Sequence, residues 1–223
     1  MLRNLIVFFL VGICGPVSAA SILIGVGDQN RKALSVENGR LTGVLAKLYQ
    51  CPLDKSGYSY ELQLLPQARM LLQLQRGGVS GGLPLVKLSP RDDYAVFTRS
   101  LMEVRFVLYT TKDIELSSDL SAYSFTVLRA SASIDLVTQL KGHYTEVSSW
   151  EQALKLARLG RFDGAVIPEL VLRGYAPESF AGLRQVDFGF LPVSMYVSKQ
   201  IDNSDELVER LNSAIDQCAG EQS

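Results

Sequence analysis

The sequence predicts an α/β protein built as two lobes around a cleft. Three observations carry this. Short apolar runs alternate with stretches of helical periodicity along the chain, the order that gives mixed sheets covered by helices. A helix–glycine–strand pattern at Leu71, Leu74, Gly77, Val79 and Gly81 returns 83 residues later as Leu154, Ala157, Gly160, Phe162 and Gly164. Two cysteines, Cys51 and Cys218, stand near opposite ends of the chain. If they pair, the last helix lies beside the first, so the chain builds one lobe, then a second, and returns. Two crossings make a hinge with a cleft beside it. The alternatives are a chance recurrence of a common pattern and two buried free thiols.

The elements follow in order. Residues 21–26 (SILIGV) are a continuous apolar run bounded by Gly25 and Gly27, which reads as a buried strand. Residues 28–40 are polar loop. Residues 41–49 place Leu41, Val44, Leu45 and Leu48 at helical spacing, a first helix ending near Cys51 and Pro52. Tyr58, Tyr60, Leu62 and Leu64 alternate as in a half-buried strand. Pro66 suits the first turn of a helix over 67–76 that stops at Gly77-Gly78, and a short strand follows over 79–85. Strands are predicted over 106–111 and 125–128. Ser131 or Ser133 is placed to cap a helix over 134–140. Ser148-Ser149-Trp150-Glu151 reads as a capping box opening a helix to residue 159. Strands over 165–167 and 193–197 and an amphipathic helix over 205–218 complete the chain.

The chain has 223 residues, 47% hydrophobic and 20% charged, with a net charge of −1. That composition builds a core. It lacks the basic footprint that nucleic acid or an anionic membrane would need. Residues 1–20 read as a signal peptide: Arg3 as the positive start, nine apolar residues over 5–13, a Gly15-Pro16 break, then small residues for cleavage. The expected compartment is the periplasm, with no membrane span after cleavage. There Cys51 and Cys218 are expected to form a disulfide. Closing a loop of about 168 residues has a chain-entropy value of roughly 5 kcal/mol.

Much chemistry is missing. The only histidine is His143, in a loop-like segment, so no Ser-His-Asp set assembles. No HExxH, CxxC, phosphate loop or dinucleotide fingerprint occurs, and neither a metal nor a cofactor is expected. Carboxylates remain: Asp28, Asp163 and Glu169 are candidates to face one cleft.

Residues 65–98, LPQARMLLQLQRGGVSGGLPLVKLSPRDDYAVFT, resemble the family-3 extracellular solute-binding proteins, the periplasmic amino-acid-binding type. That family shows a helix, then G-x-φ-D, a loop ending in T-x-x-R, and a segment close to φ-x-F-[TS]. The matching pieces are Gly77-Gly78-Val79-Ser80, Leu88-Ser89-Pro90-Arg91 and Ala95-Val96-Phe97-Thr98. The first strand and cleft loop (22–28), the entry to helix one (38–43), an anion-binding turn (125–133) and a G-R-x-D-A-like segment (159–165) also agree. The likeness spans nearly the whole chain beyond residue 20.

The resemblance implies a type II periplasmic-binding fold, with one lobe at 21–106 plus 191–223 and the other at 107–190. It implies a periplasmic solute-binding protein, not an enzyme. That protein captures a small polar, carboxylate-bearing ligand by hinge closure, as a monomer. It would serve uptake through an ABC permease or sensing through a periplasmic sensor domain. The family's carboxylate-clamping guanidinium maps onto Arg91, and a planar fork suits a carboxylate. Asp28 belongs to the cleft loop, Ser131 and Ser133 would add donors, Arg69 is a further candidate, and Glu169 is a shifted partner for an ammonium. Departures bear on the ligand. Leu83-Pro84-Leu85-Val86 carries no hydroxyl, the family's Asp is Ser80, and its ammonium acceptor falls at Pro168. Either the ligand lacks an ammonium or the site has lost its function. The alternatives are an enzyme similar to the cyclohexadienyl/arogenate dehydratases and a ligand-free interaction module whose own side chains fill the cleft.

Overall fold

The computed structural model describes residues 21–116, 119–172 and 177–220. The expected signal peptide lies outside the described residues. Among these, no helix is long and apolar enough to cross a membrane.

The first half of the sheet starts with β1 (Ser21–Gly27), which pairs in parallel with β4 (Ser59–Leu65) on one side and β5 (Gly81–Val86) on the other. Helices α1 (Ala46–Lys55) and α2 (Gln67–Arg76) make the crossovers. The second half repeats this order: β8 (Ser124–Leu128) lies in parallel between β9 (His143–Val147) and β10 (Gly164–Pro168), with α4 (Ser133–Gln139) and α5 (Trp150–Arg158) as crossovers. The helix–glycine–strand recurrence in the sequence is the last part of each unit. α2 and α5 end near Gly77 (φ 72°) and Gly160 (φ 66°), and each leads into a third strand.

Two antiparallel strands join the halves. β7 (Met102–Thr110) pairs with β10, and β11 (Arg184–Ser198) pairs with β5. They also pair with each other from Arg184↔Thr110 to Val193↔Met102, with a register shift between Asp187 and Gly189. The result is a nine-stranded sheet in the order β4-β1-β5-β11-β7-β10-β8-β9, with β6 (Ala95–Phe97) added to β11. A separate hairpin joins β2 (Ser35–Glu37) and β3 (Arg40–Thr42). This is the two-lobed α/β architecture expected from the sequence.

Burial follows the pattern of parallel strands covered on both faces. Ile24, Val26, Leu53 and Leu211 pack in one core; Phe106, Phe125, Val127 and Val166 pack in another. Cys51 on α1 and Cys218 on α7 (Ser204–Gly220) form a disulfide, as expected.

Several elements differ from the sequence reading. The first helix starts at Ala46 and runs through Pro52 to Lys55, where residues 41–49 were expected. Gly43 explains the delay: at φ 100° it takes the left-handed region, and a Cβ there would meet Ala33 O at 2.5 Å. Leu41, expected to open that helix, belongs to the hairpin opposite Val36, and the hairpin's first strand lies inside the expected polar loop. His143 opens a strand. The strand expected over 193–197 is the buried end of fifteen-residue β11, whose first part is half-exposed and lacks an apolar run. Ser131 and Ser133 do not cap α4; Ala132 holds the N-cap position without a side-chain bond.

Candidate functional site

In open α/β sheets, ligands gather at the carboxyl ends of the parallel strands. Here four such ends face one another. β1 ends at Gly27 and runs into a 3-10 turn at Asp28–Asn30. β4 ends at Leu65, and Pro66 turns the chain so that Gln67 begins α2. β8 ends at Leu128, followed by Arg129 and by Ala130 in the left-handed region (φ 57°). After β9, Ser149 caps α5 by accepting the Gln152 N–H at 3.1 Å, and Trp150 is the helix's first residue.

These ends enclose two adjoining chambers. The outer one, about 380 Å³, is lined by Asp28, Gln29 and Gln67 from one half and by Arg129, Ser149 and Trp150 from the other, among others. The inner one, about 100 Å³, reaches the hinge strands at Met102, Val104 and Val193. Gln29, Gln67 and Trp150 line both chambers. At the rim, Gln29 Nε2 donates to Arg129 O at 2.9 Å across the cleft. Trp150 is 3% exposed, and its indole Nε1–H has no acceptor among the described residues.

Charges near the cleft are paired. Arg31 Nη2 lies 3.3 Å from Asp28 Oδ2, and Arg129 Nε lies 3.3 Å from Glu146 Oε2. At the hinge, Arg105 contacts Glu169 at 3.5 Å and Asp187 at 3.2 Å. Among the described residues, no group of three His, Cys, Asp or Glu side chains is placed to hold a metal.

The sequence candidates fall in several places. Asp28 lines the outer chamber. Arg91, on α3 (Ser89–Asp92), does not belong to the lining of either chamber. It is 6% exposed and donates from Nη1 to Val86 O at 2.5 Å. Burial pushes its pKa down, against the pull of Tyr94, Tyr196 and the Asp135 carboxylate. Ser131 and Ser133 are buried, and their hydroxyls have no hydrogen-bond partner among the described residues. Arg69 lies in a shallow outer concavity on α2 with Gln73 and Arg76. Glu169 opens α6 (Glu169–Leu172), beside the inner-chamber residue Pro168. Asp163 is the outlier. It precedes β10, so that strand separates it from Glu169 by roughly 20 Å at the usual rise. Its carboxylate accepts the Ser124 N–H at 2.6 Å and pairs with Lys112. The three candidate carboxylates do not share one site.

Gln29, Gln67 and Trp150 were not singled out in the sequence. The signals were present at Pro66 and Ser149, which mark the two helix starts, but they pointed to the caps and not to the residues the caps carry into the cleft.

Two sheet halves of like topology, joined by two strands with a cavity between them, define the periplasmic-binding-protein class of fold. No protein-family model matches the chain, and no curated protein matches it. Solved structures do. The arginine-, lysine-, histidine-binding protein ArtJ from Geobacillus stearothermophilus is similar with a TM-score of 0.73 at 18% identity, over 91% of this chain and 90% of that one. A histidine kinase sensor domain with similarity to periplasmic binding proteins is similar with a TM-score of 0.73 at 16% identity, over 92% of each. The ancestral amino-acid-binding protein AncCDT-1, a precursor of cyclohexadienyl dehydratase, is similar with a TM-score of 0.68 at 17% identity, over 91% of each. At these identities the likeness establishes the fold.

Proposed function

We propose that this protein is an exported solute-binding protein that captures a small ligand between lobes 21–106 plus 191–223 and 107–190. It works in the periplasm after loss of residues 1–20, as a monomer that serves uptake or sensing. The supporting observation is the outer chamber, whose wall comes from both halves of the sheet. A ligand there touches both lobes at once, so it favours whichever hinge angle brings them together. The Gln29–Arg129 hydrogen bond spans the same gap. The similar solved structures include the substrate-binding protein of an amino acid ABC transporter and a histidine kinase sensor domain, which suits either role.

A dehydratase-like reading needs a cleft carboxyl as general acid, and the two sequence candidates for it, Asp28 and Glu169, are each engaged in an ion pair, with Arg31 and Arg105. A thermal-shift screen of carboxylates, amino acids, nucleotides and neutral solutes tests the proposal, because a ligand of the native state raises the melting temperature. Small-angle scattering should show compaction with any hit. A screen in which no solute shifts melting would refute it.

A further inference from the structure

The inner chamber narrows the ligand's chemistry, an inference that rests on the binding function above. We propose that the cleft takes an uncharged ligand whose apolar end is about the size of one six-membered ring. Leu34, Pro84, Met102, Val104, Leu170 and Val193 form the apolar wall. The polar side chains on it are Gln29, Gln67 and Trp150, all neutral, and no ionisable side chain lines it among the described residues. Bringing a bare carboxylate or ammonium there strips its hydration with no counter-charge to offset the loss. The nearby guanidinium, Arg91, is engaged with Val86 O.

Size points the same way. A dry apolar cavity of about 150 Å³ accommodates benzene, and the inner chamber measures about 100 Å³ before any adjustment of its walls. A single ring fills it once the apolar walls give by about the difference, with its substituent leading into the outer chamber. Of the three charged residues that line the outer chamber, Asp28, Arg129 and Glu151, the first two pair with Arg31 and Glu146, so these two present no bare charge to the substituent. A neutral substituent with an acceptor oxygen can take up the Nε1–H of Trp150, which has no acceptor among the described residues.

The test uses a set of near-identical shape and different charge: benzamide (neutral), benzoate (anionic) and benzamidine (cationic), with L-phenylalanine as a zwitterion. Binding to the mature protein is read by calorimetry and by the fluorescence of Trp150, the only tryptophan in the chain. Benzamide is expected to bind at least about tenfold more tightly than the other three. Benzoate or phenylalanine binding as well as benzamide would overturn the proposal and leave the binding function standing. If none of the four binds while another solute raises the melting temperature, the ring-sized chamber falls and the binding function again stands. If no solute binds at all, both fail.

A charge-reversal variant gives an independent check. Gln67→Glu places a carboxylate in the wall and should move the preference to benzamidine by about tenfold. Gln29→Glu serves the same purpose if Gln67→Glu melts without a cooperative transition. An order of affinities unchanged in a folded variant would overturn the proposal.

Discussion

Gln67 and Trp150 hold equivalent places in the two halves of the molecule and meet at one cavity. Each is the first residue of the helix that follows the outermost parallel strand of its half, β4 or β9. Pro66 sets one entry, and the hydroxyl of Ser149 sets the other. Both side chains line both chambers, so the duplicated topology puts an amide opposite an indole.

Trp150 should therefore report the hinge angle. Gln29→Ala removes the 2.9 Å bond to Arg129 O, an exposed contact, and should cost less than about 1 kcal/mol of stability. Loss of that tie should favour opening, which hydrates the indole and shifts its emission to the red. A saturating ligand should reverse the shift. Emission identical to the parent protein would show that the bond does not hold the lobes together.

Arg91 is expected to matter to the fold more than to the ligand. The residue is 6% exposed, and its guanidinium donates to Val86 O, on the strand that also borders the inner chamber. Arg91→Ala leaves that carbonyl short of a charged donor and should cost about 2–3 kcal/mol in urea denaturation. Ligand affinity of the folded variant should fall less than about threefold, well under the 1.4 kcal/mol that corresponds to a factor of ten. A large loss of affinity at unchanged stability would instead establish the carboxylate clamp that the sequence resemblance implies.

Repeating units were readable in the sequence because each rests on local signals: an apolar run, a cap, a left-handed glycine. Gly77, Gly160 and Ser149 each act within a few residues of themselves. The hinge was harder, because the first part of β11 is half-exposed and its register shifts near Gly189. The cleft was harder still. Gln67 and Trp150 are 83 residues apart, and only the fold shows that they line one cavity. Arg91 was found by its motif, but whether its guanidinium meets a ligand or a backbone carbonyl depends on packing that no local pattern encodes.

Asp163 should shape the acid limb of stability. Partial burial opposes its charge, but Lys112 and the N–H and hydroxyl of Ser124 outweigh this and hold it below the usual carboxylate range. A depressed folded pKa gives stabilisation that is fully present above the unfolded value of about 3.9. It is lost as pH falls through the folded value. Asp163→Asn should lower the melting temperature at neutral pH and flatten its decline below about pH 4. Parallel melting-versus-pH curves for the two proteins would show that the carboxylate carries none of this dependence.

Gly164 tests the close packing of β10 on β7. A Cβ at this position would stand 2.5 Å from Leu108 Cδ1 and 2.8 Å from Tyr109 O. Leu108 is fully buried, and the second contact is backbone of a paired strand, so neither neighbour yields cheaply. Overpacking of this kind costs roughly 1–3 kcal/mol, and displacement of a strand partner places Gly164→Ala at the upper end. Gly160→Ala is the control: nothing lies within 4 Å of its added Cβ, so its loss should reflect the left-handed backbone alone, about 1 kcal/mol. Urea midpoints should fall in the order parent, Gly160→Ala, Gly164→Ala. The reverse order would mean that β10 can shift away from β7 at little cost, leaving the second half of the sheet softer than its packing implies.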